Sequence, residues 1–275
     1  MVSIPFSDYG GPLLSNNSTC KGEVLHEIAR KNNCRINCVE IRGPLSINSG
    51  FICHNYYKQN LLDLSPGIAE LQKKLNKRTI LYSIRKAQKS EVTIKEESTQ
   101  DGLKEFYRLN SLTRKKHGVP FQPIKFFEKI FDHMVSKGFA SILVAISDSK
   151  TIAASLFLKF KDTVYFKYNA SDPFYLHSKT PNHLLTWHAI ERAYSEGYRL
   201  FDFGRSSPDN KGLTRYKNMW GTDVMDLPYY YYPGIKGAAS KEEKGLIYRI
   251  STGVWRRLPD RIVDNIGPKL YKYLG

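Results

Sequence analysis

The pattern of apolar positions in the second half of the chain predicts a mixed α/β domain. Apolar residues recur at helical spacing after position 100 and again after Pro123, and Gly138 ends the second of these helices. Three strand patterns follow, and only Lys161 and Asp162 separate the second from the third, which is typical of a hairpin. The predicted order is helix 100–116, helix 124–137, strands 139–147, 151–160 and 163–170, helix 181–196, strand 199–203, helix 212–221 and strand 225–232.

The connections between these elements favour a central sheet of mixed direction. The strands before the long helix are neighbours in sequence and are expected to be antiparallel, whereas the strand after it returns by a crossover and can lie parallel. The first half shows a less complete version of the same layout. Its predicted elements are a strand at 2–6, helix 19–33, strand 35–41, extended structure at 50–64, helices 66–74 and 77–89, and a strand at 91–97.

The charge of the chain favours an anionic partner. There are 42 basic and 26 acidic residues, a net charge of +16. Nucleic acid, a phosphorylated small molecule and an acidic membrane face all fit this charge, and a generically basic enzyme is an equal alternative. Without a secretory signal or a run of about 18 apolar residues, we expect a cytoplasmic protein, with peripheral contact to the inner membrane face left open.

The cysteines are expected to be reduced thiols. Cys34, Cys38, Cys53 and His54 are the only set that suggests zinc, and they lack the paired C-x-x-C spacing of zinc sites. The prediction is therefore that no metal is bound.

The stretch FDFGRSSPDNKGLTRYKNMWG at 201–221 places charged residues at a strand end. Phe201 and Phe203 are sheet residues, so Asp202 faces the other way and needs a partner, for which Arg205 is the candidate. Open α/β sheets bind ligands at the carboxyl ends of their strands. In the following short helix Leu213, Tyr216 and Trp220 are expected to pack inward. Lys217 is then a fixed positive charge suited to a phosphate or an oxyanion, the alternative being an ordinary solvated lysine.

Six segments of the chain resemble, in order, a known family. They are PFSDYGGP (5–12), SIRKAQKSEVTI (83–94), HGVPFQP (117–123), YNASDPFY (168–175), PNHLLTWHAIERAYSEGYRLFDFGRS (181–206) and GLTRYKNMWG (212–221). This set resembles the Fem-type branch of the GNAT superfamily, which holds the peptidoglycan-bridge aminoacyltransferases. The resemblance covers about residues 1–232, and 168–221 is its most specific part.

The resemblance implies two GNAT-like domains, each with a mixed sheet flanked by helices. We place them at 1–95 and 96–235, followed by a helical tail at 236–275. The chain opens at what corresponds to the middle of the family's first domain, so we expect that domain to be truncated. The long coiled-coil arm of some members is missing, which weakens a role for tRNA without excluding it.

The resemblance also implies transfer of an aminoacyl or acyl group to an amine of a nucleotide- or lipid-linked cell-envelope precursor. The donor would be aminoacyl-tRNA or, in the alternative, acyl-CoA, and no other cofactor is expected. The implied catalytic residues are Lys217, Tyr216 and Asp202. The implied substrate-binding residues are Arg205, Ser206, Arg85, Lys86, Arg215, Asn169, Asn182 and His183.

The segment LHSKTPNHLL at 176–185 bears on the donor. Ordinary GNAT enzymes hold the coenzyme A pyrophosphate on a glycine-rich loop at a helix N-terminus. Here the segment has no glycine, and Pro181 removes one N–H donor, which argues against acetyl-CoA bound in the usual way. No Ser-His-Asp or Cys-His nucleophile is evident, so we expect direct attack by the amine without an acyl-enzyme.

The tail at 236–275 predicts two short basic amphipathic helices. Nine basic residues and four acidic ones are interleaved with apolar residues and with Trp255 and Tyr271. Such helices suit an anionic membrane surface, and the alternative is packing on the catalytic domains. Two further hypotheses are left open for the function of the whole chain. The protein is a non-catalytic basic binding protein, or it is a nucleic-acid-binding module, although no nucleic-acid motif is present. The oligomeric state is unknown from sequence.

Overall fold

The computed structural model describes residues 7–11, 20–21, 27, 39–43, 47–48, 51–232 and 246–271. The strands are β1 (Cys20–Lys21), β2 (Val39–Arg42), β3 (Ile47–Asn48), β4 (Ile52–Asp63), β5 (Thr93–Glu97), β6 (Ala140–Ser147), β7 (Lys150–Phe160), β8 (Thr163–Ser171), β9 (Leu200–Ser206) and β10 (Asp223–Tyr232). The helices are α1 (Ile68–Lys74), α2 (Tyr82–Lys89), α3 (Gln100–His117), α4 (Ile124–Ile130), α5 (Pro181–Ser195), α6 (Lys211–Asn218), α7 (Leu246–Arg257) and α8 (Asp260–Tyr271). π-Helical turns precede α2 (Lys77–Leu81) and follow α4 (Phe131–Val135).

Eight strands form one mixed sheet in the order β2-β10-β4-β9-β8-β7-β6-β5. All neighbouring pairs are antiparallel except β8 and β9, which are parallel because α5 carries the chain across between them. β1 and β3 form a separate parallel pair. The mixed α/β class predicted from the sequence is confirmed.

Helices cover both faces of the sheet, as the alternation within β6 shows. Leu143 and Ala145 pack in a core with α1, α2 and α5, whereas Ile142 and Val144 pack in a second core with α3 and α4. This is the expected result for a strand whose two faces are both buried. A site within the sheet is therefore reached only where strands separate or at their ends.

The parallel pair β8 and β9 separates in this way. The two strands pair at only three positions, from Thr163 with Leu200 to Tyr165 with Asp202, although β8 continues to Ser171 and β9 to Ser206. β9 instead continues along β4, with a β-bulge that places Phe203 and Gly204 opposite Asn60. Gly204 has φ 75°, a left-handed conformation that glycine adopts without strain. The divergence opens a gap in the sheet beside the bulge.

The segment predicted as the first domain contributes strands to this same sheet. β4 lies between β9 and β10, and β2 forms the edge beyond β10. The predicted strand at 2–6 and most of helix 19–33 lie outside the described residues. The domain boundary after residue 95 stays a prediction.

The tail forms the two predicted helices. Trp255 of α7 and Val263 of α8 are buried against Phe121, and α7 contacts α3. Part of the apolar surface of the tail thus packs on the mixed α/β domain. Val254, Ile262, Ile266 and Leu270 remain 39–55% exposed. No helix in the described parts of the chain is long and apolar enough to cross a bilayer.

Candidate functional site

Asp202 is a buried carboxylate next to the bulge in β9. Phe201 and Phe203 point into the core with α5, so the carboxylate of Asp202 lies on the other face and is only 1% exposed. It accepts hydrogen bonds from the Tyr9 hydroxyl (2.7 Å), from Gln59 Nε2 (2.8 Å) and from the Gly204 N–H (2.7 Å). Burial raises the pKa of Asp202, and these hydrogen bonds oppose the rise. A carboxylate of this kind can accept a proton closer to neutral pH than an ordinary aspartate.

Arg205 is not the partner of Asp202, which corrects the sequence prediction. Its guanidinium lies over the ring of Tyr57, 4.2 Å from the centroid, and Nη1 donates to the Tyr229 hydroxyl (3.0 Å). The nearest carboxylate is that of Asp8, at 4.0 Å. Neutral donors satisfy Asp202, and two of them, Tyr9 and Gln59, come from distant parts of the chain. The aromatic rings of β4 and β10 hold Arg205 by cation–π contact.

Lys217 is buried and fixed beneath the bulge. It is 5% exposed, and Nζ donates to the carbonyl oxygens of Gly204 and Arg205, each at 2.9 Å. A bulge leaves backbone groups outside the strand ladder, and the ammonium group satisfies two of them here. Backbone carbonyls, rather than the aromatic neighbours expected from the sequence, hold this lysine. Within the described residues its third N–H has no protein partner.

Burial lowers the pKa of Lys217 to about 8, and the nearby carboxylates of Asp8 and Asp202 oppose this change. The group is therefore still mainly cationic at neutral pH. It places a positive charge directly behind the backbone of Gly204, and Gly204 is part of a cavity wall.

That cavity, of about 500 Å³, lies beside the gap between β8 and β9. Its polar end is formed by Asp8, Tyr9, Lys167 and Asp202. Lys167 Nζ lies 3.3 Å from the Asp8 carboxylate, so the two charges are paired. The other end is apolar and is lined by Met134, Phe139, Leu158, Phe160 and Phe166. A volume of this size is ordinary for a small-molecule site.

Asp8, Tyr9, Gln59 and Lys167 were not among the residues predicted for the site. Asp8 and Tyr9 belong to the PFSDYGGP motif, so a signal existed for them. Burial raises the pKa of Tyr9, and its hydrogen bond to Asp202 does so as well, which keeps the phenol protonated. Tyr9 is then a hydrogen-bond donor to the carboxylate and not a base.

Arg215 lies in a second, basic groove of about 510 Å³ between α1 and α6. Lys74 and Lys211 line the same groove, together with Asn76, Thr214 and Asn218, and none of the described residues in its walls is acidic. Three cations in one concavity attract an anion such as a phosphate.

The aromatic residue before Lys217 lies in the core. Tyr216 contacts His183 of α5 edge-on, and His183 stacks on Trp220, which is fully buried. Burial lowers the pKa of His183 to about 4, so its imidazole is neutral at pH 7. The structure therefore does not bring Tyr216 or His183 to the cavity. Leu213, expected to pack inward, is 37% exposed.

The remaining predicted residues are distributed around the α5 side of the sheet. Asn182 donates to Ser171 Oγ (3.2 Å), and the exposed Asn169 accepts from Ser155 (3.1 Å). Ser206 is buried and donates to Asn60 (3.4 Å). On α2, Arg85 is exposed, while Lys86 donates to the carbonyl of His177 (2.8 Å). None of these five lines the cavity.

The N-terminus of α5 is closely packed. Thr180, the residue before the helix, has φ 46° and does not cap it with its side chain. Its hydroxyl donates instead to the Ser83 carbonyl of α2 (2.8 Å), and Pro181 is the first residue of the helix. This geometry differs from an open, glycine-rich phosphate cradle. Among the described residues no group of three or more potential metal ligands occurs. Cys34 and Cys38 lie outside those residues, so the expectation that no metal is bound stays a prediction.

Comparisons with known proteins agree with this fold. A family model described as "Acetyltransferase (GNAT) domain" matches residues 74–218, and a search of the curated proteins found no match. The crystal structure of FemX superposes with a TM-score of 0.62 at 16% identity, covering 76% of this chain and 74% of FemX.

Two other solved structures resemble the chain. The C-terminal domain of a putative lysylphosphatidylglycerol synthetase from Agrobacterium fabrum gives a TM-score of 0.59 at 15% identity, covering 78% of this chain and 72% of that domain. A tandem GNAT protein from the clavulanic acid biosynthesis pathway gives a TM-score of 0.51 at 12% identity, covering 78% of this chain and 71% of that protein. Because the family model spans more than half of the sequence, this chain belongs to the acetyltransferase (GNAT) domain family, and its fold is that of the Fem-type branch.

Proposed function

We propose that this GNAT-family protein transfers an acyl or aminoacyl group from an activated donor to an amine of an anionic cell-envelope precursor. The observation that carries the proposal is the bulge in β9, which has the buried Asp202 on one side, the buried Lys217 on the other and a cavity of about 500 Å³ against it. A proton acceptor in the cavity wall and a fixed positive charge behind that wall suit an amine attack on an ester or thioester.

The transfer proceeds in one step. The amine nitrogen attacks the donor carbonyl carbon, a C–N bond forms, and the C–O or C–S bond to the donor breaks, with the leaving group taking the electron pair. The amine proton passes to Asp202 and from there to the leaving group. Lys217 stabilises the negative charge that develops on the carbonyl oxygen, through its position behind Gly204. Tyr9 and Gln59 hold the Asp202 carboxylate in place.

Aminoacyl-tRNA is the donor that we favour, with acyl-CoA as the alternative. The packed N-terminus of α5, with Thr180 bonded to α2 and Pro181 in the first turn, supports this order, because the usual pyrophosphate-binding backbone is missing there. The name of the Agrobacterium fabrum neighbour, a putative lysylphosphatidylglycerol synthetase, describes an aminoacylated envelope lipid, which fits the same reaction class.

The acceptor is expected to carry phosphate. The net charge of +16 and the groove formed by Lys74, Lys211 and Arg215 support this part of the proposal. A nucleotide-linked or lipid-linked precursor of peptidoglycan or of another surface polymer has the required chemistry.

Mass spectrometry of reaction products tests the proposal. The full chain is offered aminoacyl-tRNA and acyl-CoA pools with nucleotide- and lipid-linked amine acceptors. We expect an acceptor mass increased by one acyl or aminoacyl group, with Lys217→Met and Asp202→Asn reducing its rate about 100-fold or more and Lys129→Met, an exposed lysine of α4, leaving it unchanged. A failure to acylate any acceptor, together with salt-sensitive binding to arbitrary RNA or DNA, would favour the binding-protein alternative.

The tail is proposed to hold the protein at an anionic membrane surface. Ile262, Ile266 and Leu270 are exposed on α8, and Lys269 lies among them. Sedimentation with anionic liposomes tests this part. The double variant Ile262→Glu, Ile266→Glu changes only exposed positions and is expected to abolish binding. If the wild type does not sediment, or the variant sediments equally, the tail serves only to pack on α3.

A further inference from the structure

We propose that the group transferred by this protein carries an extended apolar chain, which the apolar end of the cavity receives. This inference rests on the proposed function, since it names the chemical class of the group that reacts beside Asp202. It concerns a surface with no part in the assignment above, formed by Met134, Phe139, Leu158, Phe160 and Phe166.

The size of the cavity argues against a small acyl group. At about 30 Å³ for each molecule of liquid water, 500 Å³ corresponds to roughly 17 waters. An acetyl group has three non-hydrogen atoms and would leave most of this apolar volume wet. A chain of about eight carbons, or a large apolar amino-acid side chain, fills it far better.

The charges at the cavity wall argue against a phosphate or sugar at the apolar end. Lys159 lines the cavity, but its ammonium is paired with Glu196 at 2.6 Å, and Lys167 is paired with Asp8 at 3.3 Å. With both lysines neutralised, the wall offers hydrocarbon and the stems of these side chains. In a lipid-linked acceptor a charged phosphate lies between the amine and the hydrocarbon, so its chain would not reach this end from a reaction at Asp202. The transferred group itself is the occupant that meets both conditions.

Two exposed phenylalanines mark the outer rim. Phe139 is 54% exposed and Phe160 is 62% exposed, although both line the cavity. Large aromatic side chains left in water at a cavity mouth indicate a surface that an apolar ligand covers.

A binding experiment on the full chain tests the inference without requiring turnover. Calorimetry would measure the affinity for straight-chain N-methyl alkanamides of two to ten carbons, which are neutral mimics of a fatty acyl donor. In a second arm it would compare alaninamide with leucinamide and phenylalaninamide, which mimic aminoacyl groups. We expect affinity to rise about fourfold with each added methylene until the cavity is full. A rise confined to the amino-acid series identifies an apolar aminoacyl group instead of a fatty acyl group, and either result supports the inference.

Variants at the cavity separate its filling from general damage. Leu158→Trp narrows the cavity and is expected to weaken the longest amide at least tenfold while leaving the two-carbon amide unchanged. Phe160→Ala alters an exposed position, so it folds even if the first variant does not, and it is expected to weaken the long amides severalfold. Phe174→Ala, at another exposed phenylalanine, is the matched control and should change neither.

The outcomes distinguish the two levels of the proposal. Affinities independent of chain length, or equal affinities in wild type and Leu158→Trp, would overturn the apolar-chain inference. Chain-dependent binding without acylation of any amine in the mass-spectrometric test would leave the cavity assignment intact and remove the proposed function. Acylation that prefers an acetyl donor to all longer ones would support the proposed function and overturn the apolar-chain inference.

Discussion

Replacing Lys217 by methionine separates the effect of this side chain on stability from its effect on transfer. Methionine keeps most of the side-chain volume and removes the ammonium group, which donates hydrogen bonds to the carbonyls of Gly204 and Arg205. Two terms oppose each other. The variant leaves two backbone carbonyls without their donor, at about 1–3 kcal/mol each, and it also removes a charge that burial destabilises.

The pKa of Lys217 gives the magnitude of the second term. A fall from the ordinary 10.5 to about 8 corresponds to roughly 3 kcal/mol against the folded state at neutral pH. Because the unfolded chain binds this proton more tightly, the contribution of Lys217 to stability rises with pH across the interval between the two values. From pH 7 to pH 9.5 the wild type should gain about 2 kcal/mol from this group, and Lys217→Met should not.

Urea unfolding of both proteins at pH 7 and pH 9.5 measures the difference, and Lys129→Met controls for the loss of one exposed lysine. We expect a small net change in stability at pH 7 and a relative gain by the wild type at pH 9.5. Transfer should be 100-fold or more slower in the variant at pH 7, and this difference should shrink at pH 9.5, where Lys217 of the wild type has also lost its charge. If the difference in unfolding free energy between wild type and Lys217→Met is the same at pH 7 and pH 9.5, the ammonium of Lys217 is not desolvated. Full transfer by the variant would refute its catalytic role.

Three further predictions concern the same region. Asp202→Asn should abolish transfer at all pH values, whereas wild-type transfer should fall as pH drops through the raised pKa of Asp202. Because the folded state binds this proton more tightly than the unfolded chain, the wild type should become more stable relative to Asp202→Asn as pH falls. Urea unfolding of both proteins from pH 4 to 8 would measure this change. Gly204→Ala should destabilise by about 1–2 kcal/mol in urea, because φ is 75° and the new methyl would lie 3.1 Å from an Asp8 oxygen. Asn60→Ala should lower the thermal midpoint through a loss of about 2–3 kcal/mol, because this buried amide donates to Asn218 and Thr222 and accepts from Ser206; an unshifted midpoint would contradict its tie between β4 and α6.

The strands and helices could be predicted from the chain because their signals are local. Alternation in β7 and the helical spacing in α4 depend only on which side of each element meets the core. The position of β4 was not accessible in the same way. Its sequence predicts extended structure, but its insertion between β9 and β10 depends on pairing with residues at least 137 positions away.

The candidate site shows the same limit. The helical spacing predicted that Lys217 is fixed, but it predicted neither its burial nor its partners, because the carbonyls are exposed to it by a bulge that only the register with β4 creates. The choice of Arg205 as partner for Asp202 failed for a related reason. Proximity in sequence favoured it, whereas the actual donors, Tyr9 and Gln59, come from segments that the sheet brings together. Side chains whose partners lie on other strands cannot be assigned from one strand alone.

The bulge in β9 connects the stability of the sheet to its chemistry. An unbroken strand would leave Lys217 no carbonyls to bind, and a buried ammonium without acceptors would not persist beside the core. The bulge supplies those acceptors, and Gly204 allows the backbone conformation that it needs. The same glycine donates its N–H to Asp202, so one residue fixes the positive charge on one side of the strand and the carboxylate on the other. A substitution at Gly204 should therefore disturb both groups together, whereas substitutions at Lys217 or Asp202 should each leave the other in place.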